Sequence, residues 1–167
     1  ICVSEYEFKQ ALQSGLKSNN LEIILNGTPD STEVINVDDK FKSDDVLRVL
    51  FVGRFDYQKG IDVLEDAIKI INKSAEGKRK YIFNIVGDVV NDHNVKYFDS
   101  MELNSNVIIN KKGWLKPEAL SKLYQESHIT VMPSRWEGLS MVAIESLKFG
   151  TPVIASDNTS LSEVVKD

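Results

Sequence analysis

The chain has 167 residues, enough for one domain of ordinary size. Hydrophobic residues make up 42% of it and charged residues 27%, so it can bury a normal core and disorder is disfavoured. The 20 Lys and Arg against 25 Asp and Glu give a net charge of −5, which argues against a general attraction to nucleic acid or anionic lipid. The single cysteine, Cys2, excludes a disulfide framework and any multi-cysteine metal site.

No stretch of the sequence predicts a membrane span, because the longest uninterrupted apolar runs, 49–52 and 141–144, have four residues each. The chain opens with Ile1 and shows no basic-then-apolar leader. We therefore expect a soluble intracellular domain cut from a longer protein.

The first predicted elements are a helix and a strand. Ser4 and Glu7 have the spacing of a capping box, which predicts a helix over residues 5–14 that ends at Gly15. Residues 21–25 are apolar except for Glu22 and precede the turn sequence of residues 26–29, so they predict a strand. Residues 30–45 are polar and without periodicity, which predicts a loop.

From residue 46 onward, predicted strands and helices alternate regularly. Apolar runs predict strands at 46–52, 81–86, 107–109, 129–132 and 152–155. Helical spacing of apolar residues predicts helices at 61–71, 95–103, 117–124, 139–149 and from 161 onward. The strands are nearly continuous in apolar residues, which indicates that both sheet faces are covered. The pattern predicts an α/β fold with a doubly wound, Rossmann-like parallel sheet, whose ligands bind beyond the carboxyl ends of the strands.

The loop that follows the strand at 46–52 carries the first candidate site. It contains Gly53, Arg54, Lys59 and Gly60 and leads into a helix. Glycines allow close backbone approach, and a helix start offers free N–H groups and a positive dipole end. Arg binds two phosphate oxygens at once and Lys acts as a point charge, so a diphosphate is the natural ligand. The alternative is that both cations are simply solvated.

A second candidate site lies between residues 133 and 145. Glu137 is predicted in a loop, and Glu145 two turns inside the following helix. Carboxylates accept strong hydrogen bonds from sugar or ribose hydroxyls. The backbone N–H groups of 138–141 should point into the same cleft. The alternative is that Glu137 completes a capping box with Ser134 and that Glu145 is solvated.

Other signals are weaker or absent. Gly87 and Asp88 follow a strand, and Trp114 beside Gly113 could flank a base, although packing is the simpler role for a lone Trp. No two aspartates stand two residues apart, so the Asp-x-Asp metal clamp for diphosphates is missing. The Gly-x-Gly-x-x-Gly fingerprint of dinucleotide sites is missing too.

In order and spacing, five segments resemble the retaining "group 1" glycosyltransferases, which have the GT-B fold of two facing Rossmann-like domains. The segments are Ile-Ile-Leu-Asn-Gly at 23–27, Phe-Val-Gly-Arg at 51–54 with Lys-Gly at 59–60, and Ile-Val-Gly-Asp at 85–88. The others are Pro-Ser-Arg-Trp-Glu-Gly at 133–138 with Glu145, and Gly-Thr-Pro-Val-Ile-Ala at 150–155 with Leu-Ser-Glu-Val-Val at 161–165. The resemblance implies that the chain is the donor-binding, carboxyl-terminal half of such an enzyme.

The resemblance also implies roles for individual residues. Arg54 and Lys59 would grip the diphosphate of a nucleotide-sugar, Glu137 would contact the donor sugar, and Glu145 the ribose. Arg54, Lys59 and Glu137 would be the catalytic residues. Further donor contacts would come from Gly53, from the N–H groups of Gly138, Leu139, Ser140 and Met141, and from a base pocket formed by Gly87, Asp88, Gly113 and Trp114. Configuration would be retained without metal or other cofactor, because the cations and the helix dipole stabilise the departing diphosphate.

Three departures from the family pattern bear on these expectations. Gly138-Leu139-Ser140 replaces Gly-Phe-Gly, so Ser140 is expected to crowd or re-tune the sugar pocket. Val89 replaces the last glycine of Gly-Asp-Gly, which leaves the base open among uracil, guanine and adenine. By the same resemblance, the amino-terminal, acceptor-binding domain and the end of the carboxyl-terminal one are expected to be missing. Residues 1–167 are therefore expected to be one nucleotide-sugar-binding fragment that transfers no sugar alone.

Two functions stay open at this point. The first is a glycosyltransferase that moves a sugar from a nucleotide-sugar to a glycan or lipid-linked acceptor, in envelope polysaccharide or glycoconjugate synthesis. It would be cytoplasmic, and its full-length form could associate peripherally with the inner face of the membrane. The second is a non-catalytic nucleotide-sugar-binding module or a GT-B-type epimerase relative, motivated by Ser140 and Val89.

Overall fold

The computed structural model describes residues 1–29, 40–41, 45–74, 79–90 and 97–165. The strands are β1 (Val46–Val52), β2 (Lys80–Val86), β3 (Val107–Lys111), β4 (Ile129–Met132) and β5 (Val153–Ala155). The helices are α1 (Glu5–Gln13), α2 (Ile61–Ser74), α3 (Pro117–Glu126), α4 (Met141–Lys148) and α5 (Leu161–Val164), with a 3₁₀ turn at Ser18–Asn20.

The five strands form one parallel sheet in the order β3-β2-β1-β4-β5. Successive residues of a strand point to opposite faces of the sheet, and helices pack on both faces. Phe51 packs with α2 through Leu64 and Ile68, whereas the preceding residue, Leu50, packs with Tyr124 of α3 on the other face. The predicted doubly wound, Rossmann-like fold is confirmed.

Helix starts follow the predicted local chemistry. The Ser4 hydroxyl accepts the N–H of Glu7 and caps α1, while the Glu7 carboxylate accepts the N–H of Val3. Pro117 occupies the first turn of α3, where its missing N–H costs no hydrogen bond. Helix α1 is tied to the rest of the chain because the Glu163 carboxylate accepts the N–H groups of Glu5 and Tyr6.

Two predicted elements are wrong. In the segment 21–25 only Ile23 pairs, in an isolated bridge to Cys2, and Leu25 is left largely exposed, so no sheet forms around it. The helix predicted at 95–103 is absent over 97–103, its described part. There Phe98 adopts a left-handed φ of 68° and is buried in the core, which a continuous helix would not permit. The loop predicted at 30–45 lies mostly outside the described residues.

Candidate active site

The strand order places two loops at a divide in the sheet. From β1 the chain continues to β2 and β3 on one side, whereas β4 and β5 lie on the other. The loops that leave the carboxyl ends of β1 and β4 therefore part from each other, and such a switch point forms a crevice where α/β proteins bind ligands. The loop after β1 carries Arg54 and Lys59, and the loop after β4 carries Glu137.

An ion pair joins the two loops. The Lys59 Nζ lies 2.7 Å from Glu137 Oε1, and the Ser134 hydroxyl donates to the same oxygen at 2.8 Å. Only 19% of the Lys59 side chain and 7% of the Glu137 side chain are exposed. The Asp56 carboxylate accepts the backbone N–H of Lys59 at 2.9 Å and fixes the turn that presents the lysine.

The backbone of Glu137 is held by the loop that follows β5. Its N–H donates to the Thr159 hydroxyl at 3.1 Å, and its carbonyl accepts from the Ser160 hydroxyl at 3.0 Å. The capping-box interpretation of Ser134 and Glu137 is wrong. No helix begins there, and the Ser134 hydroxyl bonds the carboxylate itself.

Arg54 reaches the ion pair only indirectly. Its Nη2 donates to Gln58 Oε1 at 2.6 Å, and its Nε lies 3.2 Å from Asp56 Oδ2. The amide of Gln58 in turn donates to the carbonyl of Trp136 at 3.2 Å. The guanidinium is thus held beside the crevice while 42% of its side chain stays exposed. Asp56 and Gln58 were not among the residues predicted for the site.

Two glycines allow the loops to approach closely. Gly60 has φ of 65°, and a Cβ there would lie 2.0 Å from the carbonyl oxygen of Pro133, at the end of β4. Gly87 has φ of 130°, and a Cβ there would lie 1.8 Å from the carbonyl oxygen of Gly53. The N–H of Gly87 also donates to Gly113 O at 2.9 Å, so the loops after β1, β2 and β3 meet at one edge.

The N-terminus of α4 faces the loop that carries Glu137. The Ser140 hydroxyl accepts the N–H of Ala143 at 3.4 Å and contacts the sulfur of Met132, and the residue is buried. This side chain therefore caps α4, and the expectation that it crowds or re-tunes the sugar pocket stays a prediction. Within the described ranges, the N–H groups of residues 138–141 form no hydrogen bond.

Glu145 lies in a pocket of its own. The pocket has a volume of about 320 Å³ and its lining includes Leu115, Leu120 and Lys148, but neither Lys59 nor Glu137. The hydroxyl of the buried Tyr124 donates to Glu145 Oε2 at 3.0 Å. Burial raises the pKa of the Tyr124 phenol well above its usual range, so the hydroxyl stays a donor. The alternative of a merely solvated Glu145 is not supported.

The remaining predicted base-pocket residues, Asp88 and Trp114, directly follow Gly87 and Gly113, whose backbones are hydrogen-bonded to each other. Trp114 is 60% exposed, and the residue that follows it, Leu115, lines the Glu145 pocket. The carbonyl of Asp88 accepts the N–H of Phe55 at 2.9 Å, which ties the loop after β2 to the loop after β1. The donor roles assigned to these residues from the sequence remain predictions.

In the part of the chain that the structure describes, none of the helices has the length and apolar character needed to cross a membrane. No group of three or more His, Cys, Asp or Glu side chains in that part of the chain is arranged to hold a metal ion.

The family model described as "Glycosyl transferases group 1" matches residues 35–167. The chain belongs to this family. It is 37% identical, over its whole length, to an uncharacterised 41.2 kDa protein in the cps region of Klebsiella pneumoniae, 45% of which it covers. Over 95% of its length it is 32% identical to the amylovoran biosynthesis glycosyltransferase AmsD of Erwinia amylovora, 44% of which it covers.

The fold matches that of a solved glycosyltransferase. The lipopolysaccharide outer core galactosyltransferase WaaB, in its apo form, aligns over 99% of this chain and 45% of its own, with a TM-score of 0.73 and 21% identity. The chain therefore spans less than half the length of these relatives.

Proposed function

We propose that this chain forms the donor-binding part of a retaining glycosyltransferase that uses a nucleotide-diphosphate sugar. The observation that carries the proposal is the Lys59–Glu137 ion pair at the switch point of the sheet, next in sequence to N–H groups at the start of α4 that bond no described residue. A cation, a carboxylate and a helix start in one crevice suit a ligand that combines phosphate and sugar hydroxyls.

Both cations keep donors for a diphosphate. A lysine ammonium has three N–H groups, and Lys59 uses one on Glu137. A guanidinium has five N–H donors, and Arg54 uses those on Nη2 and Nε for Gln58 and Asp56. Negative charge develops on the departing diphosphate in the transition state. Arg54, Lys59 and the positive end of α4 would stabilise that charge without a metal ion.

The carboxylates would recognise the sugars of the donor. Glu137 would accept hydroxyls of the transferred sugar, with its orientation fixed by Ser134 and Lys59. Glu145 would accept ribose hydroxyls in the pocket that it lines together with Tyr124. The cps and amylovoran relatives support a role in envelope polysaccharide or glycoconjugate synthesis, with a glycan or lipid-linked acceptor.

The rest of the full-length protein would supply the acceptor site. Transfer requires a closed cleft that excludes water and positions the acceptor. We therefore expect the 167-residue chain to bind the donor but not to transfer its sugar. The rival is a non-catalytic nucleotide-sugar-binding module or an epimerase relative, and the Ser140 side chain that motivates it also caps α4.

Calorimetry against UDP, GDP and ADP, with and without magnesium, tests the proposal. We expect one nucleotide to bind with a Kd between about 1 μM and 1 mM, regardless of magnesium. The double variant Arg54→Gln/Lys59→Gln should abolish binding; it removes both charges and keeps polar side chains, and urea unfolding of the variant checks that the loop stays folded. The matched control is Lys69→Gln/Lys122→Gln, which removes the same charge from two exposed helical sites.

An unchanged affinity in the Arg54/Lys59 variant would contradict the proposal, as would an equal loss in the control. Retention is tested separately on the full-length protein, by NMR assignment of the anomeric configuration of donor and product. An inverted product would reject the retaining mechanism while leaving donor binding in place.

A further inference from the structure

Two large aromatic side chains are exposed next to the ion pair. Tyr57 is 64% exposed and lies two residues before Lys59, and Trp136 is 47% exposed and directly precedes Glu137. Their ring centroids are 6.1 Å apart and the ring planes are inclined by 54°. One ring comes from the loop after β1 and the other from the loop after β4, so the pair spans the crevice.

Arg135 fixes this aromatic pair. Its guanidinium lies 3.7 Å from the centroid of the Tyr57 ring and donates to the Tyr57 carbonyl. Both terminal nitrogens also bind the Asp62 carboxylate, at 2.8 and 2.7 Å. The Gln58 side chain holds the Trp136 carbonyl. Tyr57 thus has one face covered by a cation, and its position is set before any ligand arrives.

We propose that Tyr57 and Trp136 form a platform on which a pyranose ring packs. The inference rests on the proposed function, because it places a sugar beside the residues assigned to the donor. The C–H face of a pyranose is apolar and weakly positive, so it suits the negative face of an aromatic ring. The hydroxyl groups at the rim of the sugar would meet the polar groups that surround the pair, Arg135 and Gln58.

The size of the pair favours a sugar over a protein partner. A tyrosine and a tryptophan offer about 150–250 Å² each, and part of that area is already covered by Arg135 and by the neighbouring ring. A stable protein interface buries about 800 Å² on each side. Two rings within a charged surround match one sugar ring far better than a protein surface.

NMR of the ¹⁵N-labelled protein tests the platform, because the chain has two tryptophans and therefore two indole N–H signals. Trp136→Phe assigns them. One titration uses the nucleotide diphosphate and its nucleotide-sugars. The other adds methyl glycosides of glucose, galactose, mannose and N-acetylglucosamine to the nucleotide-loaded protein. The first reports a donor sugar on the platform and the second an acceptor sugar.

We expect the Trp136 signal to shift with one of these sugars beyond any shift caused by the nucleotide alone. Tyr57→Ala and Trp136→Ala should weaken that sugar binding about tenfold. Tyr57→Phe, which keeps the ring, should restore it, and Ile70→Ala, an exposed apolar side chain further along α2, should not change it.

The outcomes separate this proposal from the proposed function. If the nucleotide binds but no sugar moves Trp136, the platform is wrong and the donor site stands. If sugars move Trp136 but no nucleotide binds, the platform stands and the donor site is wrong. Equal loss in Tyr57→Ala and Ile70→Ala would also refute the platform.

Discussion

Replacing Gly60 with alanine should destabilise the protein through a contact between the two loops of the candidate site. The added Cβ would lie 2.0 Å from the carbonyl oxygen of Pro133 and 2.8 Å from its carbon. Gly113 provides a matched control. Its φ of 59° is close to the 65° of Gly60, but a Cβ there would meet nothing within 4 Å.

The two variants share the cost of the backbone conformation and differ in the clash. Placing a side chain in the left-handed region costs about 1–2 kcal/mol. The Pro133 carbonyl must also move by more than an ångström, and overpacking of this kind costs about 1–3 kcal/mol. We therefore expect Gly60→Ala to lower the free energy of unfolding by about 2–5 kcal/mol, against about 1–2 kcal/mol for Gly113→Ala.

Urea unfolding of both variants, followed by circular dichroism, measures the difference. A difference smaller than about 0.5 kcal/mol, the usual range for surface changes, would refute the packing of Gly60 against Pro133. Nucleotide affinity provides a second readout. A displaced Pro133 moves the β4 loop, so Gly60→Ala should weaken binding even where the protein remains folded.

Three further predictions concern single side chains. The hydrogen bonds from Arg135 hold the pKa of Asp62 below its usual range. The ionised Asp62 therefore contributes fully to the free energy of unfolding above about pH 4, and this contribution is lost as pH falls further. Asp62→Asn should remove that acid dependence and cost less than about 1 kcal/mol, as half-exposed pairs do; an unchanged acid slope in urea unfolding would contradict this. Burial lowers the pKa of His128, whose Nδ1 accepts a backbone N–H, so the free energy of unfolding should fall as pH drops below about 6.5. His128→Phe should flatten that slope, and an equal slope in both proteins would rule the reasoning out. Tyr124→Phe removes the hydroxyl that donates to Glu145 and should cost about 1.5–3 kcal/mol, measured by the same unfolding assay; no loss would show that the bond contributes nothing.

The sequence predicted the central fold because its signals there are local and consistent. Residues 46–52 are almost continuously apolar, and the spacing of Ile61, Leu64 and Ile68 fits only a helix. The two wrong elements depend on distant contacts. Phe98 is pulled into the core in a left-handed conformation, and Leu25 finds no neighbouring strand. Neither fact is encoded within a window of a few residues.

The residue types of the site could be predicted, but not their partners. Lys59 and Glu137 follow strands, and strand ends in this fold class face ligands. The pairing of the two depends on β1 and β4 being neighbours, which the order of elements along the chain does not reveal. Thr159, 22 residues beyond Glu137, holds its N–H through the loop after β5. Such contacts carry no periodic signal.

The same lysine serves the fold and the proposed donor site, and this has a consequence for any variant of it. Glu137 is nearly buried, so without Lys59 its charge would be left with the Ser134 hydroxyl as its remaining described side-chain partner. Removing one member of a buried pair costs about 3–5 kcal/mol, because the other charge loses its compensation. A lost activity in Lys59→Ala could therefore reflect a displaced loop. Lys59→Gln removes the charge and keeps an N–H donor on a side chain one atom shorter, so nucleotide binding lost in a variant of normal stability would assign the lysine charge to the ligand itself.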